Sequence, residues 1–204
     1  MGTSAEMDSP LMKLLHLDSS IQGDASASRH LSAAVVDRLQ ALHPALDIAY
    51  RDLAADPLPH IVPAGFATPE AAALLDQFLA ADILVIGAPM YNFGLPSQLK
   101  AWFDHILVAG RTFRYTEAGA EGLAGGKRAI VALSRGGFYS EGHPGAAFEH
   151  AQSHIGGMLG FIGIQPEFVV AEGVAFGPEQ RAAAIAAAEA HIATLEPVAL
   201  RTAA

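Results

Sequence analysis

Four serines near the start of the chain lie between an apolar segment and a helical pattern. The apolar segment, residues 12–17, predicts a buried strand, and the serines that follow it are Ser19, Ser20, Ser26 and Ser28. The free N–H groups and the dipole at the start of a helix favour an anion, and small hydroxyl side chains add hydrogen-bond donors without blocking its approach. Because helix capping accounts for only one serine, the cluster predicts a site for a phosphate monoester.

A second candidate segment follows residues 82–88, the clearest strand pattern in the chain. It consists of Pro89, Met90, Tyr91, Asn92 and Phe93. Aromatic and apolar groups of this kind can line a flat heterocycle, while a rigid backbone presents N–H and C=O groups to its rim. Ordinary packing of the two aromatic rings in the core is the alternative interpretation.

A third candidate segment combines one cation with two adjacent glycines, and consists of Ser134, Arg135, Gly136 and Gly137. Adjacent glycines allow the backbone to approach a ligand closely, because no Cβ atom intervenes. The Arg135 guanidinium either stabilises negative charge on a cofactor or forms a structural salt bridge. The sequence leaves both roles open.

Other motifs for nucleotides and metals fail on inspection. A phosphate-binding P-loop needs glycine where Glu121 stands and Ser or Thr where Arg128 follows Lys127, and no Gly-x-Gly-x-x-Gly follows the first predicted strand. A mononucleotide is therefore favoured over a nucleoside triphosphate or a tightly held dinucleotide. The chain has no cysteine, which excludes disulfides, thiol catalysis and Cys-ligated metal centres. His150 and His154 lie on a predicted helix without a third ligand, so we expect no metal site there.

The elements that must position these segments alternate regularly along the chain. Strands are predicted at residues 12–17, 47–51, 82–88, 127–134 and 165–174, with a small β-like piece at 112–115. Helices are predicted at residues 28–42, 69–81, 97–109, 146–162 and 178–195. This order predicts an α/β fold, a doubly wound five-stranded parallel sheet with helices on both faces. In such folds ligands bind beyond the carboxyl ends of the strands, which is where all three candidate segments begin.

Composition narrows the function classes further. The chain has 204 residues, 51% of them hydrophobic, a net charge of −9 and a mean hydropathy of +0.30. No apolar run approaches the length of about 18 residues that a membrane-spanning helix needs, and an acidic chain is unsuited to tracking nucleic-acid phosphates. We expect a disordered extension at residues 1–11, a single domain at residues 12–204, no membrane or nucleic-acid partner, and a cytoplasmic location.

Together, the three segments resemble the FMN-dependent NADH-azoreductases, a homodimeric family among the flavodoxin-like NAD(P)H quinone reductases. The resemblance extends from about residue 12 to residue 195. It rests on the motifs DSS at 18–20, SAS at 26–28, APMYNF at 88–93, QLKAWFD at 98–104, TFRYTE at 112–117, SRGG at 134–137, LGFIG at 159–163 and AEG at 171–173.

The resemblance implies FMN as the bound cofactor and NADH or NADPH as the electron donor. It implies that the phosphate is held by Ser20, Ser26, Ser28 and the amide of Ala27, a position where some members carry glutamine. The flavin ring would lie against Pro89, Met90, Tyr91, Asn92 and Phe93, with Ser134, Arg135, Gly136 and Gly137 along its pyrimidine side. Tyr115 and Phe161 correspond to family positions that shape a substrate cleft across a dimer interface, and residues 53–68 would influence substrate choice.

The activity implied is reduction of quinones and aromatic azo compounds by NAD(P)H, with ping-pong two-electron transfer. No protein nucleophile is required, because the flavin carries the chemistry. A flavodoxin-type electron carrier or regulator, which binds FMN without turning over NADH, is the alternative. A homodimer is expected, and the sequence favours an exposed aromatic surface near the cleft. The aromatic residues assigned to that surface are Trp102, Tyr115, Phe138 and Phe161. For Trp102, the helical spacing from Leu99 and Ile106 also fits a position in the core or at an interface.

Overall fold

The computed structural model describes residues 11–198 and contains a five-stranded parallel sheet. The strands are β1 (Lys13–Asp18), β2 (Asp47–Asp52), β3 (Ile83–Pro89), β6 (Arg128–Arg135) and β7 (Pro166–Glu172), in the spatial order β2-β1-β3-β6-β7. A separate antiparallel hairpin pairs β4 (Phe113–Thr116) with β5 (Gly119–Gly122). From β1 the chain adds β2 on one side of the sheet, and it then adds β3, β6 and β7 on the other side. The order of strands therefore reverses between β1 and β3, and the crevice at their carboxyl ends is the expected ligand site.

Helices cover both faces of the sheet, as the sequence predicts. The helices are α1 (Ala27–Leu42), α2 (Pro69–Ala80), α3 (Ser97–Ile106), α4 (Ala151–Phe161) and α5 (Pro178–Ala193). Buried side chains of α1 and α5 form one core cluster with one face of the sheet, and those of α2, α3 and α4 form the other. The predicted α/β architecture is confirmed.

The central strand β3 is buried on both faces, which explains its continuous apolar sequence. Ile83 and Val85 pack toward α1 and α5, whereas Leu84 and Ile86 pack toward α2, α3 and α4. Alternate residues of a strand point to opposite faces, so a strand covered on both sides must be apolar throughout.

Trp102 belongs to the core and contributes nothing to an exposed aromatic surface. Its side chain is fully buried and packs edge-on against Phe78, with ring centroids 5.7 Å apart. The core interpretation of Trp102 from its helical spacing is therefore confirmed, and its assignment to an exposed surface near the cleft is wrong. Phe138 is half-buried, and Tyr115 and Phe161 are exposed.

The helix predicted at residues 146–162 is interrupted. A short 3₁₀ helix occupies Pro144–Phe148, and α4 begins only at Ala151. The Glu149 carboxylate accepts the N–H groups of Gln152 at 2.7 Å and Ser153 at 3.1 Å, so it caps α4 and starts the helix afresh. His150 is therefore the residue before the first turn of α4, and the prediction that it lies within the same helix as His154 is wrong.

Gly163 lies just beyond the end of α4. Its φ is +92°, a conformation that glycine adopts without steric cost. A Cβ atom on Gly122 of the hairpin would lie 2.3 Å from the Gly163 nitrogen, so these two backbones touch. The close approach docks the β4–β5 hairpin against the end of α4.

The structure describes neither residues 1–10 nor residues 199–204. The predicted disordered extension falls on residues 1–10, which lie outside the described residues, and on Leu11, which is exposed. Within residues 11–198, no helix combines the length and the apolar character needed to cross a bilayer.

Candidate cofactor site at the carboxyl ends of the strands

The three candidate segments meet at one edge of the sheet. The Tyr91 hydroxyl is hydrogen-bonded to the Ser20 hydroxyl at 3.0 Å, which joins the segment after β3 to the segment after β1. The Met90 N–H donates to the Ser134 carbonyl at 2.7 Å, which joins it to the segment at the end of β6. Strand order therefore places the three segments side by side, as the sequence predicts.

The serine loop, defined here as residues 19–28, connects β1 to the start of α1. Ser19 anchors it to β3, because its hydroxyl donates to the Gly87 carbonyl at 2.7 Å. Ser26 caps α1 by accepting the Arg29 N–H at 3.3 Å, and its hydroxyl is also hydrogen-bonded to that of Ser28 at 3.1 Å. Ser19 thus has a structural role, and Ser26 and Ser28 remain at the helix terminus.

The start of α1 provides the donors that a phosphate group requires. The N–H groups of Ala27 and Ser28 lie in the first turn, where no intrahelical acceptor exists. The hydroxyls of Ser26 and Ser28 are almost completely buried, at 2% and 0% residue exposure. Buried hydroxyls and unpaired helical N–H groups converge here, so these residues fit a dianionic phosphate. Ala27 offers its amide alone, since its side chain forms no hydrogen bond.

The segment after β3 forms a tight two-residue turn. Tyr91 and Gly94 exchange backbone hydrogen bonds of 3.0 and 3.1 Å, and the residues between them, Asn92 and Phe93, have φ values of 48° and 72°. A left-handed conformation costs a non-glycine residue about 1–2 kcal/mol, and such strain clusters at functional sites. The strained turn is therefore a candidate part of a functional site at this edge of the sheet.

Phe93 presents an aromatic surface at this turn rather than packing in the core. It is 45% exposed, and its ring lies 5.1 Å from that of Phe148 and 6.2 Å from that of Tyr139. Its carbonyl accepts the His150 N–H at 3.0 Å, which ties the turn to the start of α4. The core-packing alternative does not hold for Phe93. Pro89 is buried at the end of β3, and Met90 and Tyr91 are half-buried.

Arg135 forms the structural salt bridges that were one of its two possible roles. Its side chain is 2% exposed, and its guanidinium lies 3.2 Å from Glu172 and 3.4 Å from Glu149. Burial raises the pKa of Glu172, but hydrogen bonds from the Tyr139 N–H, Ser140 and Arg135 outweigh it and hold that pKa below its ordinary value. With two carboxylates as partners, the Arg135 charge is compensated within the protein.

The glycines after Arg135 have a fixed backbone. The carbonyls of Arg135, Gly136 and Gly137 accept the N–H groups of Val174, Ala175 and Gly173 at 2.9–3.1 Å. A Cβ atom on Gly137 would lie 3.1 Å from the Tyr139 ring, so a larger residue would displace that ring. The segment is held in place by the loop that follows β7.

The two predicted cleft residues form one patch with a residue that the sequence reasoning missed. The Phe113 ring lies 5.5 Å from that of Tyr115 and 4.7 Å from that of Phe161, and joins the hairpin to α4. Tyr115 is 75% exposed and Phe161 is 37% exposed. In this aromatic patch (Phe113, Tyr115 and Phe161), Phe113 is buried and supports the two exposed rings. Adjacent exposed aromatic rings favour contact with another molecule.

A polar cluster beneath the serine loop was also missed. Asp18 and Asp52 end the neighbouring strands β1 and β2 in register, which brings two carboxylates together, and Arg29 lies between them at 3.7 and 2.7 Å. The Arg29 hydrogen bond lowers the pKa of Asp52 and raises that of Arg29. Gly87 must lack a Cβ atom, which would lie 2.2 Å from Asp18. Two strands that both end in aspartate were the available signal.

Among the described residues, no group of three His, Asp or Glu side chains is arranged to hold a metal ion.

A family model of the flavodoxin-like fold matches residues 12–195. A protein of Methylorubrum populi named FMN-dependent NADH:quinone oxidoreductase is 58% identical over 193 residues, covering 87% of this chain and 95% of its own length. A protein of the same name from Xanthomonas campestris pv. campestris is 56% identical over 202 residues, covering 90% and 99%.

Two solved structures resemble the fold closely. An azoreductase from Bacillus anthracis str. Sterne has a TM-score of 0.80 and 31% identity, covering 90% of this chain and 97% of the other. An FMN-dependent NADH-azoreductase from Bacillus anthracis str. Ames Ancestor, solved in complex with FMN, has a TM-score of 0.80 and 25% identity, covering 90% and 96%.

Proposed function

The chain belongs to the flavodoxin-like family of FMN-dependent NADH:quinone oxidoreductases, and on that basis we propose that it reduces quinones and aromatic azo compounds with NADH. The observation that carries the proposal is the convergence of the serine loop, the Tyr91 turn and the Arg135 segment at the switch between β1 and β3. When bound there, FMN supplies the hydride chemistry, and the protein supplies binding and orientation.

Each segment has a distinct part in the proposal. The hydroxyls of Ser20, Ser26 and Ser28 and the amide of Ala27 hold the FMN phosphate, since the start of α1 supplies donors for a dianion. The turn at residues 89–93 borders the flavin ring, and its strained backbone holds one geometry. Backbone groups of residues 134–137 face the pyrimidine edge, whereas the Arg135 side chain positions that backbone through Glu172.

The aromatic patch supports a homodimer in which each protomer completes the other's substrate cleft. Tyr115 lies on the β4–β5 hairpin, and its ring is mostly exposed, as expected for a surface that a second copy covers. Sedimentation of the wild type should show a dimer, and Tyr115→Ala should weaken both dimerisation and quinone turnover. A fully active monomer would contradict this part. One FMN domain at residues 12–204 and a cytoplasmic location remain part of the proposal.

An absorbance experiment separates the enzyme from a flavodoxin-type carrier. The purified protein is loaded with FMN and mixed with NADH without oxygen or any acceptor. If the protein is the enzyme, the flavin absorbance should fall on addition of NADH and return when a quinone is added. A flavin spectrum that NADH leaves unchanged would favour a carrier, and release of FAD instead of FMN from the purified protein would contradict the proposed cofactor.

A further inference from the structure

Two arginines from different helices hold backbone carbonyls of the serine loop. Arg29 of α1 donates from Nε at 3.1 Å and from Nη2 at 2.7 Å to the Ser20 carbonyl. Arg181 of α5 donates from Nη2 at 2.5 Å to the Ala25 carbonyl. These carbonyls lie near the beginning of the loop and directly before its helix cap, so the two side chains brace the loop at both ends.

Arg29 is itself held rigidly. Its Nη2 donates to Asp52 at 2.7 Å and its Nη1 to the Tyr50 hydroxyl at 3.2 Å. Asp52 in turn accepts the N–H groups of Ala54 and Ala55. The Arg29 side chain is only 17% exposed, and a fixed planar guanidinium can bind a carbonyl and a carboxylate at the same time.

The contacts of Arg29 and Tyr91 fix one peptide plane from opposite sides. The Ser20 carbonyl accepts from Arg29, and the N–H of the same peptide, that of Ile21, donates to the Tyr91 hydroxyl at 3.3 Å. Because a trans peptide is planar, its C=O and N–H point in opposite directions, and two partners determine its orientation. The first turn of the loop is thus set before any ligand binds.

We propose that Arg29 and Arg181 are positioning residues for the phosphate of FMN. A loop that binds a dianion must direct N–H groups toward it and keep carbonyl oxygens away, because the oxygens carry partial negative charge. The two guanidinium groups hold the Ser20 and Ala25 carbonyls in fixed positions and act on the cofactor through the loop. This inference rests on the proposed function, since it takes FMN as the ligand of the serine loop.

The test compares FMN with riboflavin, which has the same ring system but no phosphate. Affinities of apoprotein for both flavins are measured by quenching of flavin fluorescence, and apoprotein folding is monitored by thermal unfolding. Arg29→Met should weaken FMN binding by about tenfold and riboflavin binding by less than about twofold, because the serine loop holds the phosphate directly, whereas the other two segments border the ring. Arg181→Met, at a more open position, should weaken FMN binding by about threefold.

Arg38→Met is the matched control. Arg38 lies on the same helix and also donates from two nitrogens to a carbonyl, that of Leu195, at 3.3 and 3.0 Å. Its loss changes the net charge by the same amount and leaves the serine loop intact. The control should therefore keep the wild-type preference for FMN over riboflavin.

Arg29→Lys distinguishes positioning from simple attraction between charges. Lysine keeps the positive charge but cannot bind Ser20 and Asp52 with a planar fork, so its FMN affinity should fall nearly as far as that of Arg29→Met. Full retention of FMN affinity by Arg29→Lys would overturn the proposal. So would an equal loss of both flavins in the methionine variants, or a wild-type preference for FMN in a folded Arg29→Met.

If Arg29→Met does not fold, Arg181→Met tests the proposal by the same comparison, the loss of FMN affinity relative to the loss of riboflavin affinity. A wild-type apoprotein that binds neither flavin, or binds both equally, would overturn the proposed function, and this inference with it. If the wild type prefers FMN to riboflavin and the folded arginine variants keep that preference, the inference about the arginines is overturned and the proposed function is not.

Discussion

Ser26 combines two functions that can be separated by substitution. It caps α1 and, with Ser28, forms the buried hydroxyl pair at the proposed phosphate site. Loss of the cap alone costs about 0.5–2 kcal/mol of stability. A hydrogen bond to a charged group contributes about 1.5–3 kcal/mol, so removal of the pair should affect the cofactor more than the fold.

We therefore expect Ser26→Ala with Ser28→Ala to weaken FMN binding by at least tenfold, about 1.5 kcal/mol, while the apoprotein still folds. The control is Thr68→Ala, which removes the cap of α2, where the Thr68 hydroxyl accepts the Ala71 N–H at 3.2 Å. It should lower stability and leave FMN affinity unchanged. Fluorescence titration measures the affinity, and unchanged FMN binding by the double variant would place the phosphate elsewhere.

Arg135 is expected to matter for stability more than for electrostatics at the flavin. Arg135→Ala leaves Glu149 and Glu172 without their buried cation, and because both carboxylates are partly exposed and keep other hydrogen bonds, the loss should cost about 1.5–3 kcal/mol. Urea unfolding should show this loss. Arg135→Ala with Glu172→Gln should recover part of it, since one uncompensated charge is then removed. If the double variant recovers no stability, Arg135 and Glu172 do not stabilise the fold as an ion pair.

The same contact predicts a pH dependence of known sign. The pKa of Glu172 is lowered in the folded protein, so its ionised form stabilises the fold above the ordinary glutamate pKa, and this contribution is lost as pH falls through the folded value. The stability difference between wild type and Arg135→Ala should therefore shrink below pH 4.5, the ordinary pKa of the group. Unfolding curves over the acid range measure it, and a constant difference would contradict the assignment.

At the scale of elements, apolar periodicity and the serine cap of α1 could be predicted from the sequence, whereas the carboxylate cap of α4 could not. Strand β3 and helix α1 were predicted from apolar spacing alone, because burial on a sheet leaves a regular pattern. The start of α4 was missed because it depends on the Glu149 carboxylate, whose identity as a cap is not visible from spacing. The convergence of three loops followed from strand order, whereas the Arg29 and Arg135 contacts join residues far apart in sequence.

The Glu149 cap should control the mobility of the α4 start. Glu149→Ala removes the acceptor of the Gln152 and Ser153 N–H groups, and loss of a helix cap costs about 1 kcal/mol. Because the adjacent His150 N–H binds the Phe93 carbonyl, hydrogen exchange should speed up at residues 150–153. Glu141→Ala, an exposed charge-matched change in the preceding loop, should leave exchange there unaltered. Unaltered exchange in Glu149→Ala as well would show that the cap is dispensable.

At the scale of the whole molecule, the fold brings loops from three strands to a single edge. The Tyr91 turn and the Arg135 segment are joined through the Met90 N–H and the Ser134 carbonyl, and the serine loop joins them through Ser20. We expect a flat cofactor bordered by these segments to have one open face, which the aromatic patch of the proposed second protomer would narrow. The nicotinamide ring of NADH and a quinone acceptor are both flat, and we expect them to occupy that face in turn.

Alternating use of one face predicts ping-pong kinetics, because the first product must leave before the second substrate can bind. Initial rates are measured over a matrix of NADH and quinone concentrations, and double-reciprocal plots should give parallel lines. At high concentration each substrate should also inhibit competitively against the other, since both compete for the same face. Phe161→Ala, which opens the aromatic patch without touching the serine loop, should raise the KM for quinone more than it changes FMN affinity. Intersecting lines would mean that both substrates bind together, which a single open face at this edge of the sheet does not allow.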